Sequence, residues 1–168
     1  AIECGTTAGE YGLTVRNNTV MYNGYIWNGT AYVQSALAAA APNNILYGAG
    51  INLIRTGTIC GFVPEGQNAI EDLALSGNTI AHNEKSGVYV DAQQRRLTIS
   101  ANVITDNGRD GIWLDEFGTY NESKLYNEAY GYLQDATISN NVITGAVAPY
   151  AAIHVTGKPP ALVITDNN

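Results

Sequence analysis

Leu97-Thr98-Ile99-Ser100-Ala101-Asn102-Val103-Ile104 is the clearest copy of a unit that recurs along this chain of 168 residues. Three further copies and the beginning of another align with it, at 13–20, 73–80, 136–143 and 162–167. A repeat of this length indicates a solenoid, because each unit buries its apolar face only by stacking on its neighbours.

The apolar residues within a unit alternate as they do in short strands. Leu97 and Ile99 are followed by Ile104, and then by Ile112 and Leu114, with Asn and Gly breaking the runs. This alternation predicts three short strands in each unit. The equivalent third strands are 2–4, 51–53, 88–90, 112–114 and 153–155.

Asparagine occupies the same place in every copy of the unit. These residues are Asn18, Asn78, Asn102, Asn141 and Asn167, and a shorter set, Asn23, Asn83 and Asn107, follows the second strand. Asn tolerates the left-handed backbone and hydrogen-bonds its own turn, and stacked amides can form a ladder. We therefore predict an all-β parallel β-helix of about five coils, in which each strand pairs with its equivalent at about 4.8 Å.

The motif Leu-Thr-Ile-x-x-Asn-x-Ile followed by Gly-Ile-x-Leu, at 97–104 and 111–114, resembles the right-handed parallel β-helix superfamily typified by the pectate lyases. The resemblance covers nearly the whole chain outside its insertions and implies a single domain over 1–168. The superfamily includes polysaccharide lyases, hydrolases, uronan epimerases, phage tailspikes and adhesins, so it defines the fold better than the reaction. Because the sequence begins on a third strand and stops inside a coil, we interpret it as a fragment of a longer β-helix or a subunit with covered ends.

Three insertions, at 24–49, 56–72 and 116–135, border the predicted third-strand sheet. In the resembled superfamily, that sheet and its flanking loops form the substrate cleft, and loops on a rigid scaffold commonly carry function. The insertions therefore direct the search for a site to the outward face of the third strands.

Alternation turns two sets of third-strand side chains outwards. One column contains Asn52, Tyr89, Trp113 and His154, and the next contains Asp91 and Asp115. Aromatic rings beside carboxylates suit a sugar, because rings pack on its apolar face while carboxylates bind hydroxyls or transfer protons.

We predict catalytic roles for Asp91, Asp115 and His154. On adjacent coils the two carboxyl groups would lie roughly 5 Å apart, close to the separation in a retaining glycosidase. Such proximity raises the pKa of one carboxyl group, as an acid catalyst requires. The alternative is that both Asp residues cap strand ends or bind an ion, and that His154 is a sugar contact or an ordinary surface residue.

Substrate binding is predicted for Tyr89, Trp113, Asn52, Arg109 and Glu116. An arginine could also neutralise a uronate carboxylate, although ordinary solvated charge is the competing interpretation. The clustered Asp ligands of pectate lyases and the Asp-Pro-His-Asp stretch of some alginate epimerases do not occur, which favours hydrolysis or simple binding.

Composition limits the partners. A net charge of −7 argues against nucleic acid and, unless Ca²⁺ bridges the two, against a strongly anionic polysaccharide. The longest apolar run is too short to span a bilayer. No zinc spacing or nucleotide loop occurs, so we expect no metal or cofactor, with Ca²⁺ left open. Cys4 and Cys60 leave a disulfide open, but Cys4 occupies an aliphatic position of the repeat, which favours a buried thiol.

The function favoured by the sequence is a glycoside hydrolase or depolymerase domain that acts on a polysaccharide or oligosaccharide. A glycan-binding or structural β-helix of an adhesin or phage tail is the first alternative, and a polysaccharide lyase or uronan epimerase is the second. We expect a secreted or virion-associated protein that does not enter membranes. A homo-oligomer, in particular a trimer, is the expected assembly.

Overall fold

A computed structural model describes residues 2–5, 10–36, 48–54, 70–91, 94–115, 135–157 and 161–168. The third-strand sheet has the order β1-β7-β11-β15-β18. Its strands are β1 (Ile2–Gly5), β7 (Ile51–Ile54), β11 (Val88–Asp91), β15 (Ile112–Asp115) and β18 (Ile153–Thr156). All of its pairs are parallel, which confirms the predicted third strands.

Two further parallel sheets complete the coils. The first-strand sheet contains β3 (Thr14–Arg16), β9 (Ala74–Ser76), β13 (Thr98–Ser100), β16 (Thr137–Ser139) and β19 (Val163–Thr165). The second-strand sheet contains β4 (Thr19–Met21), β10 (Thr79–Ala81), β14 (Val103–Thr105) and β17 (Val142–Thr144). Each strand pairs in register with its equivalent in the neighbouring coil, so the predicted parallel β-helix is confirmed.

The structure adds two features to the predicted three strands per coil. Two-residue strands precede the first strand in three coils: β2 (Glu10–Tyr11), β8 (Ile70–Glu71) and β12 (Gln94–Arg95). In the first insertion, β5 (Tyr25–Trp27) and β6 (Tyr32–Gln34) form an antiparallel hairpin outside the coils. Among the described residues, no helix is long and apolar enough to cross a membrane.

The core is a stack of aliphatic side chains from successive coils. Leu75, Ile99 and Ile138 are buried one above another at the centre of the first-strand sheet. The next member, Ile164, is 46% exposed, because β19 is an edge strand with a neighbour on one side only. That further sequence or another subunit covers this edge stays a prediction.

The predicted asparagine ladder is confirmed by direct amide contacts between coils. The Nδ2 of Asn78 donates to the Oδ1 of Asn102 at 2.9 Å, and the Nδ2 of Asn102 donates to the Oδ1 of Asn141 at 2.9 Å. Asn102 also donates to the carbonyl oxygen of Leu75 at 3.0 Å. The shorter set behaves alike, since the Nδ2 of Asn83 donates to the Oδ1 of Asn107 at 2.8 Å.

The left-handed backbone lies one residue before each ladder asparagine. The residues with positive φ at this corner are Asn17, Gly77, Ala101, Asn140 and Asp166. The expectation that the ladder asparagines themselves adopt this conformation is therefore wrong. Their side chains instead satisfy buried backbone groups beside the turn, which is the reason for asparagine at these positions.

Glycines directly before the third strands allow the coils to approach closely. A Cβ atom on Gly87 would lie 2.7 Å from the carbonyl oxygen of Gly111 and 2.6 Å from the Cγ2 of Ile104. Gly111 is equally confined, at 2.6 Å from the carbonyl oxygen of Ala152. This corner therefore leads directly into the outward face of the third-strand sheet.

Candidate functional site

The outward column of the third-strand sheet forms as predicted. Tyr89 pairs with Asn52 on one side and with Trp113 on the other, and Trp113 pairs with His154. Parallel in-register pairing places each side chain beside its equivalent in the next coil. The repeat therefore brings these four residues together although they are far apart in the sequence.

Exposure changes along this column. Tyr89 is 0% exposed and Asn52 is also buried, whereas Trp113 is half-buried and the side chain of His154 is 45% exposed. The expectation of an accessible surface over the whole column is thus wrong for Asn52 and Tyr89. Alternation sets the direction of a side chain but not what packs over it.

Asp115 is also buried, which corrects the expectation of an exposed carboxylate. It is 1% exposed, and its Oδ2 accepts a hydrogen bond of 2.9 Å from the hydroxyl of Tyr89. The predicted pairing of Asp91 with Asp115 across adjacent strands is confirmed for the backbone. The side chain of Asp91 and the whole of Glu116 lie outside the described residues.

Trp113 links the buried and exposed ends of the column. Its ring meets that of Tyr89 edge-on, with centroids 5.3 Å apart, and stacks nearly parallel to that of His154, with centroids 5.2 Å apart. Its Nε1 donates to the Oγ1 of Thr156 at 2.9 Å. These contacts fix the indole between the two neighbouring coils.

His154 faces a buried carboxylate that the sequence analysis left without a role. Its Nδ1 lies 3.4 Å from the Oδ1 of Asp110, whose side chain is buried. The same oxygen accepts a hydrogen bond of 2.9 Å from the backbone N–H of Ala151. In the sequence, the feature that could have drawn attention to Asp110 is its place directly before Gly111, at a corner of the coil. In the structure this corner stacks on Ala151 of the next coil.

Arg109 lies at the same corner as Asp110. Its guanidinium carbon is 5.8 Å from the ring centroid of Tyr150, in a cation–π arrangement with a partly exposed ring. Backbone bonds from Gly87 to Asp110 and from Gly111 to Ala151 show that the corners of successive coils stack on one another. We call Arg109, Asp110, Trp113, Tyr150 and His154 the third-strand patch.

A family model described as a right-handed beta helix region matches residues 9–168, which is most of the chain. The chain belongs to this family. No curated protein and no solved structure matches it. The family membership agrees with the parallel coils of this β-helix and specifies no reaction.

Two expectations from the sequence, a bound Ca²⁺ and a disulfide, are not tested by the described residues. Within the described ranges, no three His, Cys, Asp or Glu side chains are grouped as a metal site. The expectation on Ca²⁺ stays a prediction. Cys60 and the side chain of Cys4 lie outside the described residues, so a disulfide between them also stays open.

The third-strand patch of this β-helix combines a flat ring surface with one oriented imidazole. The Nδ1 of His154 and the Asp110 carboxylate lie 3.4 Å apart, an ion-pair distance longer than an ordinary N–H···O hydrogen bond, and Nε2 is the other ring nitrogen. A buried carboxylate that orients a histidine in this way is a common arrangement in general acid–base catalysis. Of the predicted catalytic residues His154 and Asp115, the side chain of His154 is accessible and that of Asp115 is buried.

Proposed function

We propose that this β-helix is a carbohydrate-active domain that binds a polysaccharide across β15 and β18 and cleaves it with His154 as the acid–base group. One observation carries the proposal: the half-exposed imidazole of His154 is stacked on Trp113 and faces the buried carboxylate of Asp110 at 3.4 Å. The membership of the β-helix family is compatible with this function and does not select it.

Each residue of the patch has a distinct part in this proposal. Tyr150 and the exposed part of Trp113 provide apolar surface for a sugar, since the indole itself is packed between Tyr89 and His154. Asp110 faces His154 and orients it. Hydrolysis needs a second group besides the acid–base residue, and Asp91 is the candidate on the third-strand sheet. Asp115 is assigned a positioning role, because its carboxyl group is buried against the hydroxyl of Tyr89.

The test is product release from a panel of neutral and uronate polysaccharides. Reducing ends report any chain cleavage, whereas ultraviolet absorbance of an unsaturated product reports cleavage by a lyase. We expect reducing ends without that absorbance from the parent, and their loss by about 100-fold or more in His154→Gln. The control is Asp166→Asn. Asp166 is exposed and directly follows a strand of the first-strand sheet, away from the third-strand patch, so this variant should retain full activity.

Two results would reject parts of this proposal. Full activity of His154→Gln would remove His154 from the chemistry, and unsaturated products would identify a lyase instead of a hydrolase. A parent chain that binds and cleaves none of the polysaccharides would reject the carbohydrate-active function itself.

A non-catalytic glycan-binding β-helix is the second candidate. It is favoured by the burial of Asn52, Tyr89 and Asp115, which keeps three of the predicted site residues away from a ligand in this conformation. In that case Trp113→Ala would weaken binding while no polysaccharide is cleaved. The secreted or virion-associated location and the homotrimeric assembly stay predictions under both candidates.

A further inference from the structure

The hairpin of β5 and β6 carries a second aromatic surface, separate from the third-strand patch. Trp27 and Tyr32 are cross-strand partners that contact each other edge-on, with ring centroids 5.3 Å apart. They are 58% and 49% exposed. Because Trp27 meets Tyr32 at an interplanar angle of 61°, the contact leaves much of the indole open to a ligand.

This hairpin is held against the solenoid by side-chain contacts at both ends of its second strand. The ring of Tyr32 stacks on that of Tyr22 at 4.1 Å, and Tyr22 in turn stacks on His82 at 5.4 Å. The Nε2 of Gln34 donates to the Oε1 of Glu84 at 2.8 Å. A two-stranded hairpin alone is marginally stable, so these contacts are what present its exposed rings in a defined place.

The tip of the hairpin is ordered by an asparagine turn. The Oδ1 of Asn28 accepts hydrogen bonds from the backbone N–H groups of Thr30 and Ala31, at 3.0 and 2.9 Å. Trp27 directly precedes this turn, so its backbone position is fixed on both sides. A fixed aromatic ring loses little conformational entropy when a ligand packs on it.

The charge distribution indicates the kind of ligand. No Asp, Glu, Lys or Arg occurs between Arg16 and Arg55, a stretch that includes the whole hairpin. Glu84, at the hairpin base, is mostly buried and paired with Lys85 at 2.5 Å. A surface of rings, amides and hydroxyls without charge is complementary to a neutral sugar chain rather than to an anionic one.

We infer that Trp27 and Tyr32 form a second glycan-binding site that takes a neutral polysaccharide. This inference rests on the proposed carbohydrate function. The hairpin leaves the solenoid at the corner between the second and third strands, and the backbone bond from Lys85 to Gly48 shows this corner stacking on the next coil. Arg109 lies at the same corner two coils away, about 10 Å along the axis.

The two tryptophans of the chain, Trp27 and Trp113, allow the two sites to be observed separately. Trp113→Phe leaves Trp27 as the sole indole, and Trp27→Phe leaves Trp113. Fluorescence titration of each variant with a soluble neutral glucan and galactomannan, and with polygalacturonate, reports which site each ligand occupies. We expect a neutral polysaccharide to change the emission of Trp27, and polygalacturonate to leave it unchanged.

Affinity measurements complete the test. Trp27→Ala should weaken binding of the neutral polysaccharide by at least about tenfold, a usual cost of truncating an aromatic anchor. Ile26→Ala, on the opposite face of the same hairpin and also exposed, is the matched control and should bind like the parent. The double variant Trp113→Phe, His154→Gln should retain the Trp27 signal even if the third-strand patch has no activity, which separates this inference from the proposed function.

Three outcomes would overturn the second site. They are an unchanged Trp27 emission with every neutral polysaccharide, equal binding by Trp27→Ala and the parent, and an equal loss of binding in Ile26→Ala. Self-association of the parent that Trp27→Ala abolishes, measured by sedimentation, would identify the surface of Trp27 and Tyr32 as a protein interface instead.

Discussion

The two ends of β15 differ in what a buried carboxylate faces. At its carboxyl end, Asp115 meets the hydroxyl of Tyr89, a residue that is itself buried. Just before its amino end, Asp110 meets His154, whose other side is open to solvent. The first pair is closed off from water, whereas the second places a buried carboxylate beside an accessible ring.

The largest effect on the unfolding free energy is expected in the asparagine ladder, where both partners are closed off from water. Asn102→Leu should destabilise the chain by about 3 kcal/mol, because it removes the amide that accepts from the backbone and side-chain N–H groups of Asn78 and donates to the carbonyl oxygen of Leu75. Denaturant unfolding of this variant measures how much free energy is lost when a polar contact closed off from water is removed. Asn18→Leu at the exposed ladder end should cost much less, and equal losses would contradict the account.

A smaller loss is expected at the closed end of β15. Tyr89→Phe keeps the ring but removes the hydroxyl that donates to Asp115, so it should cost about 2 kcal/mol. Thermal or denaturant unfolding measures this, with Tyr32→Phe on the exposed hairpin as the control. If Tyr89→Phe left stability unchanged and abolished glycan cleavage, the closed pair would be functional and the comparison would fail.

At the amino end of β15, by contrast, we expect a small effect on stability and a large effect on cleavage. Asp110→Asn should change the unfolding free energy by no more than about 1 kcal/mol, since an amide oxygen can still accept from Ala151. The same oxygen faces His154, so the substitution keeps both contacts and removes only the negative charge beside the imidazole, and cleavage should fall by about 100-fold. Loss of stability without loss of cleavage would make Asp110 purely structural.

The smallest effect on stability is expected for Asp72, an exposed carboxylate that serves as the reference for the two buried ones. Two hydrogen bonds from Arg96, at 2.5 and 2.9 Å, hold the pKa of Asp72 below its ordinary value of 3.8. The pair therefore stabilises the fold above that pH, and the contribution disappears as pH falls through the lowered pKa. Solvent screening keeps it small. An NMR titration should find the pKa of Asp72 higher in Arg96→Gln, and an unchanged value would contradict this.

Much of the fold could be predicted from the sequence, because strand pairing in a solenoid follows the repeat. Aligning Asn78 with Asn102 also aligns Tyr89 with Trp113, and both alignments are confirmed by the strand register. The family match over residues 9–168 confirms the same architecture. A sequence repeat shows the features that all coils share, and parallel strand pairing is one of these features.

The site could be predicted only in part, because its features differ from coil to coil. Asp110 has Ser86 and Ala151 at the equivalent places of the neighbouring coils, so no periodic pattern singles it out. The burial of Tyr89 and Asp115 depends on tertiary packing over the sheet, which alternation does not record. The exposed rings of Trp27 and Tyr32 belong to an insertion that no other coil shares.

The most direct test of the account is a crystal structure of the chain soaked with an oligosaccharide from the polysaccharide that it binds. We predict a sugar ring packed on the third-strand patch, with a hydroxyl or glycosidic oxygen within hydrogen-bond distance of the Nε2 of His154 and no contact with Asp115. An oligosaccharide bound with saturating occupancy elsewhere, with the ring of His154 unoccupied, would contradict the claim that the open end of β15 is the functional one.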